Sequence, residues 1–276
     1  MKNNTCCNEK EDLKDLETLN PQKDLKCCGC YDKSTINDKS MIRNPKTPKK
    51  EINIETIKNI EKKAKELDIV NISYVKIPEE VLKANHNLNY SNAIVFTMAI
   101  GMDIINKKAS DEAKKFNDKL YEKFGNATYL ISDELRKEGF QTQIAHPKED
   151  LIDLTKLGYD SGLGYTGKSG LLISPELGPR MKISAILTSI ENLPFSSKNE
   201  HEWIKDYCKL CSRCIRSCPQ NALIEKENTL LKADLIKDNC IGCSQGCTYC
   251  IEACPFYEIG YDVVKAKYLK LESNLQ

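Results

Sequence analysis

Nine cysteines crowd into the stretch from Cys208 to Cys254, and their spacing constrains this 276-residue chain more than anything else in it. The first group reads Cys208-Lys-Leu-Cys211-Ser-Arg-Cys214-Ile-Arg-Ser-Cys218-Pro219, and the second contains Cys240, Cys243, Cys247, Cys250 and Cys254-Pro255. Three thiolates two residues apart let a short backbone wrap one corner of a [4Fe–4S] cubane. A fourth, redirected by the proline after it, reaches a second cubane. Two such groups imply two clusters with crossed ligation. Cys208, Cys211, Cys214 and the distant Cys254 serve one; Cys218 with Cys240, Cys247 and Cys250 serves the other. Nine cysteines for eight positions leave one over, and we place Cys243 as the spare or alternative ligand. Structural zinc also uses C-x2-C pairs, but its two pairs are normally separated by a longer stretch and lack the three-cysteine run ending in Cys-Pro.

Compartment decides how the 14 cysteines of the whole chain are read. The start, from Met1 to Lys10, is polar and has neither an apolar signal core nor a twin-arginine pair. The longest apolar run, Ala93 to Met102, is well short of the roughly 20 residues a membrane helix needs. The expectation is a cytoplasmic protein with no membrane partner, in which dense cysteine means metal or redox chemistry. A net charge of +1 gives no global attraction to nucleic acid or acidic surfaces.

The texture changes twice along the chain. Residues 1–50 are polar, contain Cys6, Cys7, Cys27, Cys28 and Cys30, and read as a tail and linker. Residues 51–197 alternate helical and strand patterns: a helix over about 51–67, strands at Ile69–Ile77 and Ala93–Ile100, helices from Ser110 to about Gly125 and over about 127–138, a strand at Phe140–Ala145, a helix over about 149–157, and strands at Leu171–Ile173 and Lys182–Leu187. That order predicts an α/β layer domain of the α+β kind. Residues 198–262 carry the cysteines with few large apolar side chains, so an inorganic staple is expected there. Residues 263–276 read as a C-terminal tail.

Asp160 to Gly170 (DSGLGYTGKSG) satisfies two phosphate-binding patterns, Gly162-x-Gly164-x-x-Gly167 and Gly162-x4-Gly167-Lys168-Ser169. Both need a buried strand before the loop and a helix after it. Here Leu151, Leu154 and Leu157 precede it at helical spacing, and the strand-like Leu171–Ile173 follows. The order is reversed, so an ATP-dependent electron donor is the least favoured reading. The glycines more simply let the backbone approach something flat or bulky.

Glycine loop, strand and dicluster in this order resemble the epoxyqueuosine reductases and the related reductive dehalogenases. The resemblance lies in Gly162–Arg180 (GLGYTGKSGLLISPELGPR), in Ala185–Thr188, in Cys208–Pro219 and in Cys247–Pro255. Cys240 falls where the reductases have an isolated cluster ligand. The resemblance implies a nitroreductase-like layer domain followed by a ferredoxin-like dicluster domain. It implies a cobalamin held against a wall formed by Gly162, Gly164, Gly167, Lys168 and Ser169, and a low-potential donor such as ferredoxin or flavodoxin. The substrate would be a small molecule or a modified nucleoside.

The chain also departs from the family pattern. The reductases carry an acidic proton donor before the loop; here His146-Pro-Lys-Glu149-Asp150 occupies that region, with Lys148 at the matching offset. Glu149 or Asp150, or else Tyr165 or Tyr159, would have to serve. The repeat domain that helps the reductases hold tRNA is not seen, so a nucleic-acid partner is not expected. The alternative is a ferredoxin-like electron-transfer or reductive-activation protein with no organic substrate of its own. His86, His146 and His201 lie in no metal-ligand pattern, and Trp203 is placed to shield the first cluster from water.

Overall fold

The computed structural model describes residues 40–273, apart from 86, 106, 150, 197, 227 and 228. The five cysteines before residue 40, His86 and Asp150 therefore lie outside the described residues. Asn53 caps helix α1 (Ile54–Glu66), its side chain accepting the Thr56 N–H at 2.8 Å, and Ile60 and Ala64 form the buried stripe. Strand β1 (Asn71–Lys76) and the short helix α2 (Glu79–Ala84) lead to β2 (Asn92–Ala99), which is buried along seven of its eight residues.

After α3 (Met102–Ile105), Ser110 accepts the Ala113 N–H at 3.2 Å and opens α4 (Asp111–Lys137). The two helices expected over 110–138 are this single 27-residue helix. Gly125 does not break it. A Cβ at that position would stand 2.9 Å from His146 Nε2, so the glycine makes room for the histidine instead. Strand β3 (Thr142–Ala145) follows, and then α5 (Leu154–Asp160), which starts later than expected because Asp153 is its cap, accepting the Lys156 N–H at 2.9 Å. A two-residue hairpin, β4 (Tyr165–Thr166) and β5 (Leu172–Ile173), precedes β6 (Met181–Thr188).

The main sheet runs β1-β2-β6-β3 and every pairing is antiparallel. The fold is thus mixed, with an antiparallel sheet. A strand apolar on both faces usually signals a parallel sheet between helices. Here the same burial arises because both faces of an antiparallel sheet are covered. Ile94, Phe96, Met98 and Ile186 point to one side, against Phe124, Ala127, Ile131 and Leu135 of α4. Ala93, Val95, Ala185 and Leu187 point to the other, with Leu157 of α5 and Leu172 of the hairpin.

Residues 40–50, expected as linker, are strapped to this layer. The Met41 and Ile42 N–H groups donate to the Asp133 carboxylate at 2.9 and 3.1 Å, and Arg136 donates to the Ile42 carbonyl at 2.7 Å.

The cysteine-rich part consists of α6 (Trp203–Cys211), α7 (Arg213–Arg216), the hairpin β7 (Leu223–Lys226) and β8 (Thr229–Leu235), then α8 (Tyr249–Glu252), α9 (Pro255–Glu258) and α10 (Tyr261–Ser273). Its own apolar side chains are too few for a core, and it borrows from the sheet layer. Ile204, Phe256 and Val264 bury Ile173 of β5, and Ile251 packs with Ile100, Ile104 and Ile105. The segment after 262, expected as a tail, is helix through Ser273, because Tyr261, Val264 and Tyr268 cover Trp203 and Phe256. Among the described residues no helix is long and apolar enough to cross a membrane.

His146, 3% exposed, is held neutral. Its Nδ1 accepts the Lys148 N–H at 3.2 Å, which leaves Nε2–H to donate to the Tyr121 carbonyl at 3.2 Å. Burial pushes its pKa below the ordinary range; the Tyr121 carbonyl opposes this and the Lys148 charge adds to it. The unfolded chain then takes up the proton first, so this contribution to stability is complete above about pH 6.5 and fades as the pH falls below it. The thermal midpoint should drop between pH 7 and pH 5.5, and His146→Gln should show a shallower drop; equal slopes would contradict the assignment.

Candidate metal centres and a tyrosine–lysine nest

Cys208 occupies the last turn of α6 and Cys211 ends it. The chain then turns through Ser212 at φ +45°, a left-handed conformation that disfavours a side chain by about 1–2 kcal/mol. This corner brings Cys214 into α7 instead of letting α6 run on. It is held by its own side chain, since Ser212 Oγ donates to Glu225 at 3.1 Å and meets Lys168 Nζ at 2.7 Å.

Two sulfur groups result. Burial pushes the Cys254 thiol up to about 12, and the neighbours that raise it further are Cys208, Cys214 and Cys211. Burial likewise lifts Cys208 to about 11, with Cys211 and Cys214 adding to it. In the second group, burial raises Cys247, as do Cys243, Cys240 and Cys218. Cys250 is raised by burial and by Cys243, Cys247, Cys214 and Cys240. Cys254 thus stands with the first run and Cys218 with the second. Both Cys240 and Cys243 stand in the second group, and Cys214 of the first is near enough to raise Cys250 of the second.

Backbone donors are aimed at these sulfurs: Lys168 N–H at Cys208, Phe256 N–H at Cys254, Tyr249 N–H at Cys247, and Ala222 N–H at Cys218 Sγ at 3.3 Å. Thiolates gathered this closely would repel one another and take up protons. An iron–sulfur core replaces those protons with metal cations, and an all-sulfur donor set met by peptide N–H groups is the environment such cores take. Among the described residues no three His, Cys, Asp or Glu side chains converge as a single metal ion would demand.

The glycine loop is the β4–β5 hairpin, with α5 before it and no helix after it, so the phosphate cradle does not form. Its glycines are filled from within. A Cβ on Gly164 would lie 2.1 Å from the Ile173 carbonyl oxygen, and one on Gly167 would lie 2.6 Å from the Ile173 side chain and 3.7 Å from Cys208 Sγ. Gly162 adopts φ +78° after α5, and Ser169 lies half-buried in the turn at the hairpin tip. Lys168 is enclosed, with Nζ bonded to Ser212 and Glu225. Tyr165 packs in the same core as Cys208, edge-on to Tyr159 at 5.5 Å, and burial raises its pKa. Glu149 lies in the turn after β3, its N–H donating to the His146 carbonyl at 2.8 Å.

A family model described as a 4Fe-4S dicluster domain matches residues 202–259. The tetrachloroethene reductive dehalogenase of Desulfitobacterium hafniense is 28% identical over 144 residues, which is 52% of this chain and 25% of that protein. An epoxyqueuosine reductase of Synechocystis is 28% identical over 111 residues, 35% of this chain and 36% of that protein. The catabolic reductive dehalogenase NpRdhA superposes with a TM-score of 0.61 at 19% identity, covering 79% of this chain and 36% of that one. The epoxyqueuosine reductase of Streptococcus thermophilus does so at 0.51 and 18%, covering 75% and 67%.

Residues 202–259 thus match a 4Fe–4S dicluster domain, and the chain is similar in sequence and fold to reductive dehalogenases and epoxyqueuosine reductases.

It spans about a quarter of the length of the curated dehalogenases it matches. In this dehalogenase- and reductase-like chain, the structure also assembles a polar nest absent from the sequence reading. Lys182 of β6, 6% exposed, donates from Nζ to the phenol oxygen of Tyr121 on α4 at 2.9 Å and lies 4.3 Å from its ring centroid. Lys148 Nζ lies 4.8 Å from the same centroid and 2.9 Å from Asp118 Oδ1. One helical turn before Tyr121, Asn117 Nδ2 donates to the Ser244 carbonyl at 3.3 Å, and a Cβ on Gly246 would touch Ala113. The nest is therefore carried by the helix on which the second sulfur group rests. A charged residue in an otherwise buried strand was the available signal, and Lys182 supplied it.

Proposed function

We propose that this protein is an iron–sulfur reductase whose two clusters deliver electrons for a two-electron, corrinoid-dependent reduction, with Tyr121 supplying the proton. The observation that carries the reading is the crossed pairing of Cys254 with the first cysteine run and Cys218 with the second, set on a dehalogenase-like fold. Electrons entering at one cluster would cross to the other by way of Cys214 and Cys250, which are near enough to act on each other electrostatically. A small low-potential protein, ferredoxin or flavodoxin, is the donor class suited to clusters of this type. The phenol of Tyr121 can give up its proton because the Lys182 ammonium at 2.9 Å stabilises the charge left on oxygen.

Support for the corrinoid comes from a solved relative described by its B12-dependent dehalogenation, 18% identical to this chain. A bound corrinoid would supply a low-valent metal centre for the reduction. The hairpin glycines and Lys168 do not fit it as a wall, because Ile173, Ser212 and Glu225 already occupy them. No contact to a corrinoid is assigned to those residues. That same closure favours a second reading, an electron-transfer or reductive-activation protein serving a partner.

Anaerobic reconstitution followed by cobalamin equilibration and desalting separates the two. About eight irons and one retained cobalamin per chain support the first reading. Eight irons with no cobalamin leave the second, and a zinc-loaded protein that takes up no iron defeats both.

A further inference from the structure

Lys168 is the most deeply buried charge among the described residues, at 1% exposure. Lysines are almost never enclosed to this degree unless paired. Its Nζ meets Ser212 Oγ at 2.7 Å, the Lys209 carbonyl at 3.4 Å and the Glu225 carboxylate. Its main chain is engaged as well: the N–H is directed at the Cys208 sulfur, and the carbonyl accepts the Ala233 N–H of β8 at 2.9 Å. One residue of the glycine hairpin therefore touches α6, the Ser212 corner, β7 and β8, the frame around the first sulfur group.

The two charges of the Lys168–Glu225 pair are not equally placed. Lys168 is sealed inside, whereas the Glu225 side chain is 46% exposed. Water screens the carboxylate far more than the ammonium, so the field reaching the sulfurs is net positive. Cys208 and Cys214 both feel the Lys168 charge. Reduction of a cluster adds negative charge, which a nearby cation favours.

We propose that Lys168 is a positioning and potential-setting residue for the cluster held by Cys208, Cys211, Cys214 and Cys254, holding that cluster at a higher reduction potential than the thiolates alone would give. This rests on the dicluster reading above and assigns the Gly-Lys-Ser segment to electron transfer, not to phosphate or corrinoid.

The test is an EPR-monitored redox titration of the anaerobically reconstituted full chain, with the second cluster as internal reference. Lys168→Met should lower the midpoint of the first cluster by at least a tenfold change in its oxidised-to-reduced ratio, equivalent to about 59 mV for one electron. Glu225→Gln, which keeps a hydrogen-bonding side chain at a half-exposed position while removing its charge, should move the same midpoint upward. Opposite shifts confined to one cluster support the proposal. No shift, shifts of the same sign, or both clusters moving together overturn it. If Lys168→Met loses iron, the direction seen in Glu225→Gln decides. A wild-type chain that holds no iron is recognised by metal analysis before any titration, and it defeats the dicluster reading along with this one.

Discussion

Cys254→Ala should remove the first cluster, although Cys254 belongs to the second cysteine group, and Cys218→Ala should remove the second, although Cys218 belongs to the first. The expectation follows from the sulfurs each one meets: Cys208, Cys214 and Cys211 around Cys254, and Cys218 beside Cys247 with Cys243 and Cys240. In each variant the iron content should fall from about eight per chain to about four. EPR of the reduced protein should lose one signal, together with the magnetic coupling between the two clusters, and the surviving signal should differ between the variants. The same signal surviving in both would mean that ligation is not crossed. Cys240→Ala and Cys243→Ala extend the test to the surplus thiol, since only the variant that removes a true ligand should cost iron. Thermal stability should fall more in Cys254→Ala, because Cys254 packs against the Ile204, Phe256 and Val264 core that joins the cysteine-rich part to β5.

The cysteine motifs were legible because cluster ligation is written in local spacing: a three-residue interval that closes around a cubane does so whatever the rest of the chain does. The strands at β2 and β6 were legible from their apolar runs, but not their direction. Burial on both faces looks the same whether a strand lies between helices in a parallel sheet or, as here, between α4 and the α5–hairpin layer in an antiparallel one. Gly125 looked like a helix end because its real reason, the His146 ring 2.9 Å from where its Cβ would be, comes from the residue just after β3. Helix α10 was hidden for a related reason. Its buried side chains, Tyr261, Val264 and Tyr268, are fixed by Trp203 and Phe256, which the periodicity of 261–273 does not contain. Lys168 shows the converse failure. The Gly-Lys-Ser string is locally persuasive, yet its meaning was set by Ser212 and Glu225, 44 and 57 residues away.

Tyr121→Phe should leave both clusters and the fold in place while lowering turnover by about 10²–10⁴-fold, the usual scale for removing a positioned proton donor. The substitution deletes one oxygen. The ring still fills its place against His146, at 6.1 Å between centroids and tilted by 49°, so packing is preserved. What goes is the group that Lys182 holds at 2.9 Å. Lys182→Met should bring a loss of similar order by a different route, since the phenol remains but the charge left after proton transfer has lost its cation. The two effects should not add. Once the phenol is gone the ammonium has nothing to stabilise, so the double variant should be scarcely slower than Tyr121→Phe. Lys148 sharpens the argument, because its ammonium lies over the same ring yet is tied to Asp118 at 2.9 Å, and Lys148→Met should cost much less. Clusters that stay reducible in Tyr121→Phe by dithionite, with turnover collapsed, would place the fault at proton delivery. Unchanged turnover would move the proton donor to Tyr165, whose ring shares the Cys208 core.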